Sequence, residues 1–125
     1  MQDDLELIAN RVIGATIEVH KRLGPGLLES AYEACLAIEL QHLALSFERQ
    51  KSVPLQYRGQ YIDAACRLDF PVASQLVVEL KSVGQLEPIH TAQVLTYLRL
   101  TGLKLALLIN FNVPLLRDGL KRIIL

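Results

Sequence analysis

The sequence has no net charge: 13 lysines and arginines balance 13 aspartates and glutamates. That balance excludes a uniformly basic nucleic-acid binder, although a local basic patch can hide inside a zero sum. Cysteine is scarce. Cys35 and Cys66 stand alone, without metal-ligand spacing, and read as reduced thiols of a cytosolic protein. No apolar run approaches the roughly 18 residues that a membrane span needs. The acidic start, Met1-Gln-Asp-Asp-Leu-Glu6, lacks the basic and apolar regions of a signal peptide, so the expected location is cytoplasmic. There is no internal repeat and no low-complexity linker. What remains is 125 residues, 51% apolar and 21% charged, a composition that fits one folded domain over residues 1–125 and not disorder.

The informative stretch runs from Arg67 to Lys81. It is mostly apolar and reads as two buried strands joined by a turn at Ala73-Ser74-Gln75, yet Asp69, Glu79 and Lys81 interrupt it. Buried charges are costly without a partner or a metal. A turn centred on Ser74 sets residues whose numbers sum to 148 opposite one another, so Asp69 is expected to face Glu79. Opposed residues have Cβ atoms roughly 4.5–5.5 Å apart, and two carboxylates that close need a proton or a cation between them. Side chains alternate along a strand, so Lys81 shares the face of Glu79 while Leu80 points away. Hard oxygen ligands in such a notch suit Mg²⁺ or Mn²⁺.

Around this stretch the pattern changes twice. Residues 3–22 read as an amphipathic helix with Leu5, Ile8, Val12, Ala15 and Val19 on one stripe. Asp3, Asp4 and Glu6 near its start and Lys21 and Arg22 near its end suit the helix dipole. Gly24-Pro25-Gly26 breaks it, and a second helix is expected over about 27–43, with Tyr32, Cys35, Leu36 and Leu40 inward. Strands are expected over 47–57, 61–72 and 76–83, with Pro54 and Pro71 marking edges, bulges or ends. A helix over 89–101 ends at Gly102. A doubly buried strand over 103–109 and a last strand over 120–125 complete an α/β sandwich with mixed strand direction.

Asp69 followed by Glu79-Leu80-Lys81 resembles the D…(D/E)-x-K signature of the PD-(D/E)XK nuclease superfamily. Gly26-Leu-Leu-Glu29-Ser-Ala-Tyr32 resembles the motif of its GxxExxY branch, and the likeness extends from about His20 to the C-terminus. The resemblance implies a mixed central sheet flanked by helices and a Mg²⁺- or Mn²⁺-dependent nuclease acting on DNA or RNA. Asp69 and Glu79 would then ligate the ion, the Leu80 carbonyl would add a ligand, and Lys81 would orient water or stabilise phosphate charge. It also implies that Glu29 completes the metal site, with Gly26, Glu29 and Tyr32 on one helix face and Tyr32 behind the site. Gln93-Val-Leu-Thr-Tyr97 resembles the Q-x-x-x-Y motif of RecB-type nucleases, which places Gln93 and Tyr97 at the active site. His20 matches a histidine that serves some relatives as a metal ligand, against the plainer reading of a helix-end residue.

His42 and His90 have no supporting context. Lys51, Arg58, Arg67 and Arg99 are candidate phosphate contacts that nothing in the sequence groups together. With no evident basic stripe, substrate binding is expected to draw on a second subunit or a partner protein. Two other readings are a catalytically inactive binding or accessory module and a structural, self-associating protein with the apolar tail Ile123-Ile124-Leu125.

Overall fold

A computed structural model describes residues 2–125, apart from the side chains of Gln2 and Asp3; Met1 and the expected dipole role of Asp3 lie outside the described residues. Helix α1, Gln2–Leu23, buries Ala9, Val12, Ala15 and Val19 along its apolar stripe. It stops at Gly24, whose φ of +68° is left-handed. Helix α2 is Glu29–His42, with Tyr32, Leu36 and Leu40 fully buried. It starts two residues later than expected. Gly26 therefore lies in the preceding loop and shares no helix face with Glu29 and Tyr32. The φ of +100° at Gly26 explains why: the loop needs a backbone conformation that ends helical hydrogen bonding.

Four further segments follow: β1 Lys51–Tyr57, β2 Gln60–Leu68, β3 Phe70–Val72 and β4 Leu76–Lys81. Helix α3, Pro88–Thr101, leads into β5 Leu105–Asn110, a 3₁₀ turn at Leu116–Asp118 and β6 Leu120–Ile124. The main sheet has the order β3-β4-β5-β6, with β4 and β5 parallel and the other pairs antiparallel. Strands β1 and β2 pair only with each other.

Helices α1 and α2 cover one sheet face, where Phe70, Val78, Leu80, Leu107 and Ile109 point. Helix α3 covers the other, where Val77, Ala106 and Leu108 point. This is the α/β architecture expected, a mixed sheet flanked by helices. Helix α3 begins at Pro88, and the Glu87 N–H donates to His90 Nδ1 at 2.9 Å, a capping role for the histidine that had no context in the sequence. Gly102, at φ +74°, closes the helix as expected.

Two strand expectations need correction. The strand expected over 61–72 is two strands, broken at Asp69. The strand expected to begin at Phe47 begins at Lys51, and Phe47 makes only an isolated bridge to Val72. Both follow from Asp69. There the chain leaves the ribbon for the main sheet, and the backbone of Gln50 turns to meet it.

Candidate active site

The site is built on the β3–β4 hairpin. Phe70 pairs with Val78, Pro71 with Val77 and Val72 with Leu76, the register of a turn centred on Ser74. Ala73 and Ser74 carry positive φ of 53° and 55°, and the Gln75 N–H donates to Val72 O at 3.0 Å. Two consecutive left-handed residues twist the turn to match its strands.

One step beyond the last pair, Asp69 meets Glu79. The Asp69 N–H donates to Glu79 Oε1 at 2.8 Å, and the Leu80 N–H donates to Asp69 Oδ2 at 2.9 Å. Each carboxylate thus takes a backbone hydrogen at the break where ladder pairing stops. Glu79 is 4% exposed. Burial pushes its pKa up to about 8, the charge of Asp69 pushes the same way, and the Asp69 N–H and Lys81 only partly offset them. Burial also raises the pKa of Asp69, against the stabilising bonds from Leu80 and Gln50. The two acids titrate as a unit, and at neutral pH the metal-free pair keeps a proton.

Lys81 lies on the same strand face as Glu79, half-buried. Its charge acts on Asp69, Glu79 and Glu29 together. Among the described residues it forms no ion pair with them. Glu29 is the first residue of α2, and its carboxyl is raised by partial burial and then by Asp69.

From α3, the Tyr97 hydroxyl is raised to about 12, mainly by burial and then by Glu79, with Gln93 one helical turn before it acting the other way. Gln93 itself is exposed. Cys66 on β2 also lies near Glu79, and burial followed by that charge raises its thiol.

Sequence reasoning missed two residues at the site. The Gln50 N–H donates to Asp69 O at 2.9 Å, and its amide donates to Asp69 Oδ1 at 3.3 Å and to Glu33 Oε1. Gln50 adopts a left-handed φ of +53°, a strained conformation for a residue of this type. Glu33 in turn pairs with Arg49 at 2.9 Å. The only clue to Glu33 is that it lies one helical turn beyond Glu29. Nothing local marks Gln50.

His20 and Tyr32 make contacts within the scaffold. His20 is buried, bonds through Nε2 to Val113 O at 2.7 Å and stacks on Phe111. Among the described residues no three His, Cys, Asp or Glu side chains converge to hold a metal ion. The expected ligands Glu29 and His20 are not gathered with the pair into one such cluster here: His20 Nε2 faces the Val113 carbonyl, and Glu29 stands exposed at the start of α2. The Tyr32 hydroxyl donates to Gly24 O at 2.6 Å and accepts from Leu27 N–H at 3.2 Å, tying down the loop before Glu29.

Asp69 and Glu79 alone suit an ion that needs few protein ligands. Mg²⁺ typically takes one or two carboxylates and keeps several waters. The N–H and C=O of a strand residue point the same way, so the Leu80 carbonyl opens toward the same edge as the N–H that reaches Asp69.

An α/β sandwich whose hairpin sets an aspartate against Glu79-Leu80-Lys81 defines a D…(D/E)-x-K class of domain. Residues 6–123 match the family model of the PD-(D/E)XK nuclease superfamily, and the chain belongs to that superfamily. No curated protein and no solved structure gives a significant match. No helix among the described residues is long and apolar enough to cross a membrane.

Proposed function

We propose that this domain hydrolyses phosphodiester bonds of nucleic acid with the help of Mg²⁺ or Mn²⁺. The observation that carries the reading is the buried Glu79 carboxyl held against Asp69, with its pKa raised to about 8. Two acids so placed hold a proton until a cation replaces it. Asp69, Glu79 and the Leu80 carbonyl would hold the ion. A bound divalent ion supplies Lewis-acid chemistry, polarising the phosphoryl oxygens and acidifying water.

The chain's own residues do the rest. Lys81 places an ammonium beside the pair to orient the attacking water and stabilise charge that develops on phosphate. Glu29 holds water at the rim. Gln93 and Tyr97 line the α3 side and orient the substrate. The water gives up a proton to solvent, its oxygen bonds to phosphorus as one P–O ester bond breaks, and the departing oxygen takes up a proton from solvent. Membership of the GxxExxY branch rests on Gly26, Glu29 and Tyr32, and in this reading its tyrosine acts by fixing the loop that presents Glu29.

The test is incubation with labelled single- and double-stranded DNA and RNA in Mg²⁺ or Mn²⁺. Cleavage by the wild type and none by Glu79→Ala is the expected result. Cleavage that persists in Glu79→Ala would place the chemistry elsewhere. Ion binding with no cleavage of any substrate would favour an accessory module.

A further inference from the structure

The β1–β2 ribbon is attached to the body at one end only. Val53, Cys66 and Leu68 pack into the core beneath α3. Beyond them the register shifts between Val53 and Leu55, and the ribbon runs out into solvent. Its turn is Arg58-Gly59, with left-handed φ of 50° and 81°. Tyr57 and Tyr61 flank that turn, 66% and 63% exposed. The chain's other two tyrosines, Tyr32 and Tyr97, are buried. Leu55 pairs with Ile62, Gln56 with Tyr61 and Tyr57 with Gln60, so the two exposed rings lie on opposite faces of the tip. Residues 51–68 carry Lys51, Arg58 and Arg67 against Asp63 alone, an excess of two positive charges in a chain whose net charge is zero, with Lys51 paired to Glu48 at 3.0 Å and the two arginines in no ion pair among the described residues.

We propose that the ribbon tip is a platform for single-stranded nucleic acid that wraps around it, with one unpaired base stacked on Tyr57 on one face and another on Tyr61 on the other, while Arg58 and Arg67 contact the backbone. The proposal rests on the nuclease reading for its purpose, not for its geometry. Stacking on exposed aromatic rings beside basic residues tolerates any sequence and needs unpaired bases. Duplex binding relies on neutralising many phosphates, and two excess charges supply little of that. A second copy of the chain is disfavoured, because paired ribbons would bring like charges together.

The ribbon is also continuous with the site. Cys66, beside Glu79, shares a ribbon face with Tyr57, whose partner Gln60 is six residues along β2 from it, at most roughly 20 Å. A stacked strand spans that distance in about six nucleotides. The ribbon thus gathers Lys51, Arg58 and Arg67, which the sequence leaves scattered, onto one element leading to the carboxylates.

The test is fluorescence anisotropy in EDTA, where no cleavage occurs, with oligo-dT and oligo-U of about twelve nucleotides, a trinucleotide and a duplex of equal length. Tyr57→Ala/Tyr61→Ala is expected to weaken binding of the longer single strands roughly 10-fold or more. Tyr57→Phe/Tyr61→Phe is expected to keep it, and trinucleotide binding is expected to be the same in all three proteins. Circular dichroism melts check that the variants stay folded. Equal binding by the alanine variant, tighter binding of duplex, or no binding of any oligonucleotide would overturn the proposal. So would a dimer, seen in sedimentation, that the alanine substitutions dissociate. Tyrosine-dependent binding without metal-dependent cleavage would sink the nuclease reading and leave the platform standing. Cleavage that ignores both tyrosines would do the reverse.

Discussion

Asp69 and Glu79 are joined across the point where the ribbon parts from the main sheet: the backbone N–H of Asp69 donates to the Glu79 carboxylate at 2.8 Å. The same break that frees this N–H from the β-ladder turns the Asp69 side chain toward the Leu80 N–H. Two acids are thereby set side by side, Glu79 buried and Asp69 half-buried. Backbone donors and the Gln50 amide hold them there, Lys81 only partly offsets their charge, and among the described residues neither forms an ion pair.

The first expected consequence is a stability that falls as pH rises. The folded pKa of Glu79, about 8, exceeds its ordinary value of 4.5. Its favourable contribution is complete below pH 4.5 and is lost as pH climbs through 8. Between pH 6 and 8 the loss is on the order of 2 kcal/mol. Thermal melts of the metal-free protein should show a Tm several degrees lower at pH 8 than at pH 6. Glu79→Gln, neutral throughout, should flatten that slope; an unchanged slope would mean that Glu79 is not the titrating group.

Metal binding should run against the proton. Mn²⁺ titration by calorimetry in buffers of different ionisation enthalpy should reveal up to about one proton released per ion near neutral pH, with affinity rising toward pH 8. Asp69→Ala and Glu79→Ala should abolish binding and cleavage. Lys81→Ala should keep or tighten binding, because a positive charge beside the ion is gone, yet lose turnover. Lys81→Arg should rescue poorly, since a planar guanidinium does not replace a compact ammonium. Ca²⁺, which prefers more ligands at longer distances, should suppress activity.

Gln50 offers a separation of stability from function. Gln50→Gly removes a side chain from a left-handed position while keeping the N–H that reaches Asp69 O. Its Tm should hold or rise slightly. Loss of the amide that touches Asp69 and Glu33 should weaken metal affinity or turnover by about 10-fold. A melt and a Mn²⁺ titration on one preparation decide the matter, and unchanged affinity would make Gln50 a structural residue only.

Glycines 14 and 119 should respond in opposite directions to alanine. A Cβ at Gly119 would lie 2.1 Å from the Asn110 carbonyl oxygen. Asn110 is buried and holds Val83 through both ends of its amide, so the clash reaches the loop after Lys81. Gly119→Ala should cost about 1–3 kcal/mol. Gly14 sits mid-helix with open space around it, and Gly14→Ala should gain about 0.5–1 kcal/mol. Denaturant midpoints for both variants provide the check.

The elements whose signals are local were legible. The stripe of α1, the end of α3 at Gly102 and the doubly buried β5 follow from periodicity, a left-handed cap and an unbroken apolar run. The β3–β4 register was legible for the same reason. A short hairpin is closed by its own turn, so the opposition of Asp69 and Glu79 depends on no distant residue. The breaks were not legible. Residues 61–72 look like one strand because both halves have β-forming composition, and only the parting of two sheets divides them at Asp69.

The sequence by itself therefore determined the layers of the fold, the hairpin and the chemical types placed on it, since these arise from neighbours along the chain. Tertiary structure decided what each polar group faces. His20 is bonded to Val113, 93 residues away, and Gln50 reaches Asp69 across 19. Tyr57 and Tyr61 remain in solvent because the ribbon outruns the helix that covers its base. A side chain's partner is set by which segments fold together, and its charge state by how much water they exclude. Neither quantity is carried by a residue's immediate neighbours in the chain.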